Sequence, residues 1–214
     1  MSTASTFLLA TTTASCIALL ARNRKLRTDL ITARFEAHHD ALTGLPNRRA
    51  LLLHLDGLLA DRTRPVAVAL VDLNRFKEIN DEHGHTAGDL VLCRVADTLR
   101  GLRLPRTMVG RMGGDEFMII VDDGMYTARN NAEAAAQALD ATTVILGATN
   151  FGCYASLGLA LADHNDITAV DLIRRADAAM YAAKRRGGGV REWHENIGAT
   201  VTATLPMQRR RYRF

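Results

Sequence analysis

Asp72, Asp115 and Glu116 are the carboxylates around which this sequence could do chemistry. Asp72 closes the apolar run VAVALVD (residues 66–72), which follows Pro65 and predicts a buried central strand. Asp115 and Glu116 follow Gly113 and Gly114, between strand-like runs at 107–112 and 117–121. Adjacent glycines there predict a tight hairpin turn, because glycine reaches positive φ without steric cost. If the strands are neighbours, three carboxylates converge at one sheet edge, and like charges held together need a cation. Hard oxygen donors suit Mg²⁺ completed by nucleotide phosphates. Two such ions a few ångströms apart could hold the attacking and leaving oxygens of a phosphoryl displacement. Lys77, early in a helix expected to begin at Phe76, could place positive charge on those phosphates. Acids at a hairpin tip are otherwise solvated turn residues, and the residues alone leave both readings open.

The elements that must position these groups follow from periodicity. Residues 23–41 predict a helix with a narrow apolar stripe of Leu26, Leu30, Ile31 and Phe35, suited to pairing with a copy of itself. Gly44 and Pro46 break it, and Asn47 can cap a second helix carrying Leu51, Leu52, Leu55, Leu58 and Leu59. A short helix from Phe76 precedes a polar, turn-rich stretch at 81–88 and a helix at 90–102. After the hairpin come a helix at 127–141, strands at 143–146 and 154–161, and an amphipathic helix at 170–186 stopped by Gly187, Gly188 and Gly189. An edge strand is expected at 190–193. Helices alternating with strands around one hairpin predict an α/β (α+β) sandwich, a sheet covered by helices.

The 214 residues suffice for one domain with extensions. The expected division is 1–39, a possible membrane anchor and linker helix; 40–192, the domain; and 193–214, a loose basic tail. The net charge of +4 misleads. Arg22, Arg24, Lys25, Arg27 and Arg209, Arg210, Arg211, Arg213 hold eight of the 27 basic residues. The remaining 19 face 23 acidic residues, so the body is about −4 and specific nucleic-acid binding is not expected. Cys16, Cys93 and Cys153 are odd in number and far apart, which predicts a reducing compartment and no disulfide framework. Residues 6–21 are apolar but diluted by five Thr and Ser, short of the roughly 20 apolar residues that span a bilayer. If this segment inserts, the cations at 22–27 place the rest in the cytoplasm, anchored to the inner face of the cell membrane.

The segment RMGGDEF (111–117) resembles the signature of the GGDEF family, the diguanylate cyclases. DALTGLPNRR (40–49), VDLNRFKEINDEHGHTAGD (71–89), SLGLA (156–160) and RADAAMYAAKRRG (175–187) are similar to that family's other blocks, in the same order. Together they cover about residues 40–192. The resemblance implies a fold like the nucleotidyl-cyclase and polymerase palm, a central, mostly antiparallel sheet flanked by helices. It implies condensation of two GTP into cyclic di-GMP with release of pyrophosphate, each 3′-hydroxyl attacking the other α-phosphate across a homodimer. By position, Asp72, the Leu73 carbonyl and Asp115 would hold Mg²⁺, and Asp115 would also serve as base. Glu116 would be the adjacent acid. Lys77 and Lys184 would contact phosphates. Asn80, His85 and Asp89 would read guanine, and Asp89 can accept from both N1–H and N2–H₂, a donor pair that adenine lacks.

The sequence departs from the family in three places. Gly188 and Gly189 stand where an arginine and an asparagine are usual, with Arg185 and Arg186 the nearest replacements. Asn74 replaces a second acid at the strand end. The RxxD pair that binds product in many members falls on Leu104 and Thr107, with Arg103 and Arg106 offset and no acid expected beside them. Product inhibition through that site is not expected, nor is degradation of the messenger, since no phosphodiesterase-type block follows. A degenerate module that holds GTP or a protein partner without turnover is the alternative. A template-dependent polymerase is disfavoured by the chain's size and acidic body.

Overall fold

The computed structural model describes residues 3–146, 149–162 and 167–197. The chain divides into two compact units, Met1–His38 and His39–Phe214. In the first, α1 (Thr3–His38) is one continuous helix, longer than the predicted 23–41. Its stripe of Leu26, Leu30, Ile31 and Phe35 is exposed. Among the described residues no helix is long and apolar enough to cross a membrane. The anchor expected over residues 6–21 therefore has no support: the apolar stretch is short, carries Thr and Ser, and runs directly into Arg22 to Arg27.

The second unit is a sheet with helices on both faces. Its elements are α2 (Arg48–Asp61), β1 (Val66–Leu73), α3 (Phe76–His83), α4 (His85–Gly101), β2 (Thr107–Gly113), β3 (Glu116–Val121) and α5 (Met125–Asp140), then β4 (Thr143–Leu146), β5 (Thr149–Gly152), β6 (Ala155–Ala162), α6 (Ala169–Lys184) and β7 (Gly189–Glu192). The main sheet runs β2-β3-β1-β6-β7, antiparallel except for the β6–β7 pair. This is the mostly antiparallel sheet flanked by helices that the family resemblance implied. β4 and β5 form a separate hairpin; β5 was not expected.

Alternation along β1 divides the core. Ala67, Ala69 and Val71 face α4 and α5 together with Phe117, Ile119, Leu157 and Leu159. Val66, Val68 and Leu70 face α2 and α6 together with Met118, Ile120, Leu172, Ile173 and Met180. Both faces are dry, which is why β1 reads as an unbroken apolar run. Asp72 continues the even-numbered series, so its carboxylate falls on the α2/α6 side at the strand's end.

Two boundaries differ from the sequence reading. The polar stretch 81–88 is helical except at Gly84, whose φ of 82° turns α3 into α4. Polar side chains do not oppose a helix that packs on one face only, and Ala87 and Gly88 are the buried part of its first turn. Trp193, expected to open the tail, belongs to the domain. Its backbone N–H donates to the Leu159 carbonyl at 2.7 Å, and the Arg175 guanidinium stacks 4.3 Å from its ring. The rest of the expected tail, from residue 198, lies outside the described residues.

Candidate active site

The hairpin forms as expected. Gly113 pairs with Glu116, leaving Gly114 and Asp115 as the turn, with φ of 139° at Gly113 and 57° at Gly114. β3 then lies beside β1, with Asp72 directly opposite Glu116 and, on its other side, opposite Ser156 of β6. Directly opposed residues project from the same face. Asp115 stays close because the Leu73 N–H donates to its carbonyl at 3.4 Å.

The expected cluster of three carboxylates is not what surrounds Asp72. Among the described residues no three His, Cys, Asp or Glu side chains are grouped to hold a metal. Lys184, the last residue of α6, instead places Nζ 2.5 Å from Asp72 Oδ1. The Asp72 side chain is 4% exposed and that of Lys184 47%. A carboxylate so deeply buried needs a counter-charge, and α6 supplies it. Beside this pair, Ser156 Oγ donates to Asn74 Oδ1 at 2.8 Å. Asn74 thus serves the wall of the site as a neutral hydrogen-bonding group, where an acid would add charge beside Asp72.

The departure at Gly188 is built into the backbone. Gly187, Gly188 and Gly189 have φ of 94°, 114° and 78°. A Cβ at Gly188 would lie 3.0 Å from Asn74 Nδ2 and 3.3 Å from the Ala155 carbonyl. An arginine there would be both strained and crowded. Arg185 and Arg186, the nearest replacements in sequence, line a cavity with Tyr181, Arg191 and His194.

The expected guanine-reading residues cluster at the α3–α4 junction. Asn80 is half-buried and lies across the first turn of α4: a Cβ on Gly88 would come within 2.1 Å of Asn80 Oδ1. Gly88 is therefore what allows Asn80 to sit beside Asp89, a role the sequence did not reveal. Asp89 is exposed, as are Lys77 and His85. The Lys77 and His85 side chains make no hydrogen bond or ion pair among the described residues, so the fold leaves them facing solvent without drawing them to Asp72. Arg75, between Asn74 and α3, has φ of 61°, the kind of local backbone strain that recurs at functional sites.

A clamp missed at the sequence level holds the hairpin tip. Arg111 donates to the Gly114 carbonyl through Nε at 3.0 Å and Nη2 at 2.8 Å, and to Asp40 Oδ1 through Nη1 at 2.9 Å. The block 40–49 is thereby tied to the Gly-Gly turn. Burial pushes the Asp40 carboxyl up, but hydrogen bonds from Thr43 and the Arg111 charge outweigh it and hold the group below its ordinary value. Asn47 caps α2 as expected, accepting from the Ala50 N–H at 3.0 Å. Elsewhere one expectation fails: Arg106 does have an acid beside it, Asp122 Oδ2 at 3.9 Å, supplied from just past the end of β3. Leu104 and Thr107 still leave the RxxD pattern unmatched.

Residues 37–189 match the diguanylate cyclase GGDEF domain. The chain belongs to the GGDEF family. It is 37% identical over 172 residues to the diguanylate cyclase TpbB of Pseudomonas aeruginosa, covering 75% of this chain and 38% of that protein. It is 36% identical over 185 residues to the signaling protein YkoW of Bacillus subtilis, covering 79% of this chain and 22% of that one. The chain thus spans well under half the length of these curated relatives. Among solved structures, the coiled coil and GGDEF domain of DgcB from Caulobacter crescentus, in complex with c-di-GMP, superposes with a TM-score of 0.76 at 28% identity. That match covers 84% of this chain and 97% of the other. The GGDEF domain of TpbB from P. aeruginosa gives a TM-score of 0.70 at 34% identity, covering 77% and 99%.

Proposed function

We propose that this GGDEF domain is an active diguanylate cyclase that condenses two GTP into cyclic di-GMP across a pair of protomers. The observation that carries the reading is Asp72: a buried carboxylate at the end of a central strand, opposite Glu116 and beside the Gly-Gly turn that holds Asp115. Burying a carboxylate at the end of a central strand is costly, and this one lies within a domain that matches the diguanylate cyclases.

Asp72, Asp115 and the Leu73 carbonyl are hard oxygen donors at one sheet edge, a set that fits a divalent cation such as Mg²⁺. Bound there, the cation would lend positive charge to the triphosphate. The chain's own groups do the rest. Asn80 and Asp89 hold the guanine edge, and His85 lies beside them at the start of α4. Lys77 and Lys184 offer ammonium groups to the phosphates. Asp115 accepts the proton of the 3′-hydroxyl, with Glu116 as the adjacent acid. The 3′-oxygen forms a bond to the α-phosphorus of the GTP on the facing protomer, the α–β anhydride bond breaks, and pyrophosphate leaves. The same step with the roles exchanged closes the ring. Positioning and charge stabilisation supply most of the acceleration for such a transfer.

The degenerate-module reading is favoured by one observation, the loss of the family arginine at Gly188, whose positive φ strains any side chain placed there. Incubation of concentrated protein with GTP and Mg²⁺, followed by chromatography, decides between them. Cyclic di-GMP is expected, and Asp115→Ala should abolish it. GTP binding without product from wild type would establish the module instead.

A further inference from the structure

We propose that Lys184 is a resident counter-ion for Asp72 that must be expelled before a divalent cation can bind, so that metal and nucleotide are taken up as a coupled pair. The inference rests on the functional reading above and adds an energetic link between its two ligands.

Asp72 is almost fully buried, and the Lys184 ammonium lies 2.5 Å from its Oδ1. A divalent cation arriving at Asp72 would meet the like charge of that ammonium across one shared carboxylate, and the two cations compete for it. Metal binding is therefore an exchange. Lys184 is built to make that exchange. It ends α6, its side chain is about half in water, and three positive-φ glycines follow it. Its flexible stem can swing outward while α6 stays packed on the sheet. The neighbouring wall stays in place, because Asn74 is held by Ser156 Oγ and Gly188 packs against the Asn74 amide.

The energetic consequence depends on what awaits the expelled ammonium. Without nucleotide it returns to water, and the metal has displaced one good ion pair to make another. With a triphosphate in place the ammonium gains an anion, so each ligand strengthens the other's binding by the same factor. Lys184 thus suppresses metal binding to the nucleotide-free protein.

The test measures Mn²⁺ binding by electron paramagnetic resonance, with and without a non-hydrolysable GTP analogue, for wild type, Lys184→Met and Lys184→Arg. Wild type should bind Mn²⁺ on the order of tenfold more tightly with the analogue, within the usual range of coupling factors. Lys184→Met should bind nucleotide-free Mn²⁺ about tenfold more tightly than wild type and lose most of the coupling. Lys184→Arg, which keeps the counter-charge, should stay near wild type. A measurement on wild type alone covers the case in which Lys184→Met fails to fold: acetylation of Lys184, read by mass spectrometry, should accelerate when Mn²⁺ is added. Mn²⁺ and analogue that bind wild type normally, with no gain in Lys184→Met and no Mn²⁺ effect on acetylation, would overturn the inference and leave the functional reading standing. Wild type that binds no Mn²⁺ even with the analogue would overturn both.

Discussion

Gly158 is where α6 meets the sheet most closely, and replacing it tests how Lys184 is positioned. A Cβ at Gly158 would lie 2.0 Å from the Met180 backbone nitrogen and 2.1 Å from the Ala176 carbonyl oxygen. Ordinary contacts need about 3.5 Å, so Gly158→Ala drives α6 outward by roughly 1.5 Å. The contact is backbone on backbone, and no rotamer change can absorb it. Leu172, Ile173 and Met180 would lose part of their packing on the α2/α6 face. Overpacking of this kind costs about 3 kcal/mol or more. For a chain of this size that is a fall in Tm of roughly 6–12 °C. The opposite substitution sets the scale. Gly57 lies exposed inside α2 with nothing within 4 Å of its Cβ position. Gly57→Ala should stabilise by about 0.5–1 kcal/mol through helix propensity and unfolded-state entropy. Thermal and urea denaturation of the two variants should move in opposite directions. If Gly158→Ala lay within about 1 kcal/mol of wild type, the close helix–sheet approach would be refuted, and with it the placement of Lys184.

Three further outcomes follow from the same geometry. The lowered Asp40 carboxyl stabilises the fold only while ionised, so its contribution is present above its ordinary value of 3.8 and is lost as pH falls below that. Acid denaturation monitored by circular dichroism should show this loss, and Asp40→Asn should weaken the fold at pH 7 by about 1–3 kcal/mol while flattening the acid limb. Burial pushes the Cys153 thiol up to about 11, so a thiol reagent at pH 8 should modify it only on unfolding, as peptide mapping after labelling would show. Gly88→Ala should displace Asn80 and weaken GTP binding by about 3–10-fold, the worth of one hydrogen bond, measured by calorimetry with the analogue.

Much of this molecule is written locally. A strand buried on both faces needs an unbroken apolar run, and VAVALVD provides one up to Asp72. A hairpin needs residues that reach positive φ, and Gly113 and Gly114 provide them. Asn47 signals its helix cap because the group it satisfies lies three residues away. Signals of this kind depend on near neighbours, so periodicity and residue type reveal them, and the ordered family blocks added the sheet's architecture. What the sequence could not show lies between residues far apart along the chain. The Asp72–Lys184 contact spans 112 positions and exists because β1's alternation turns Asp72 toward α6. Arg111 reaches Asp40 across 71 positions. Gly158 reads as a weak strand residue until α6 is laid against it, and Gly188 as a helix stop until Asn74 stands beside it. The local sequence determined which elements form and where the acids sit. Only packing decided that a lysine would balance the charge of Asp72, because a buried charge is balanced by whichever partner the fold brings within reach.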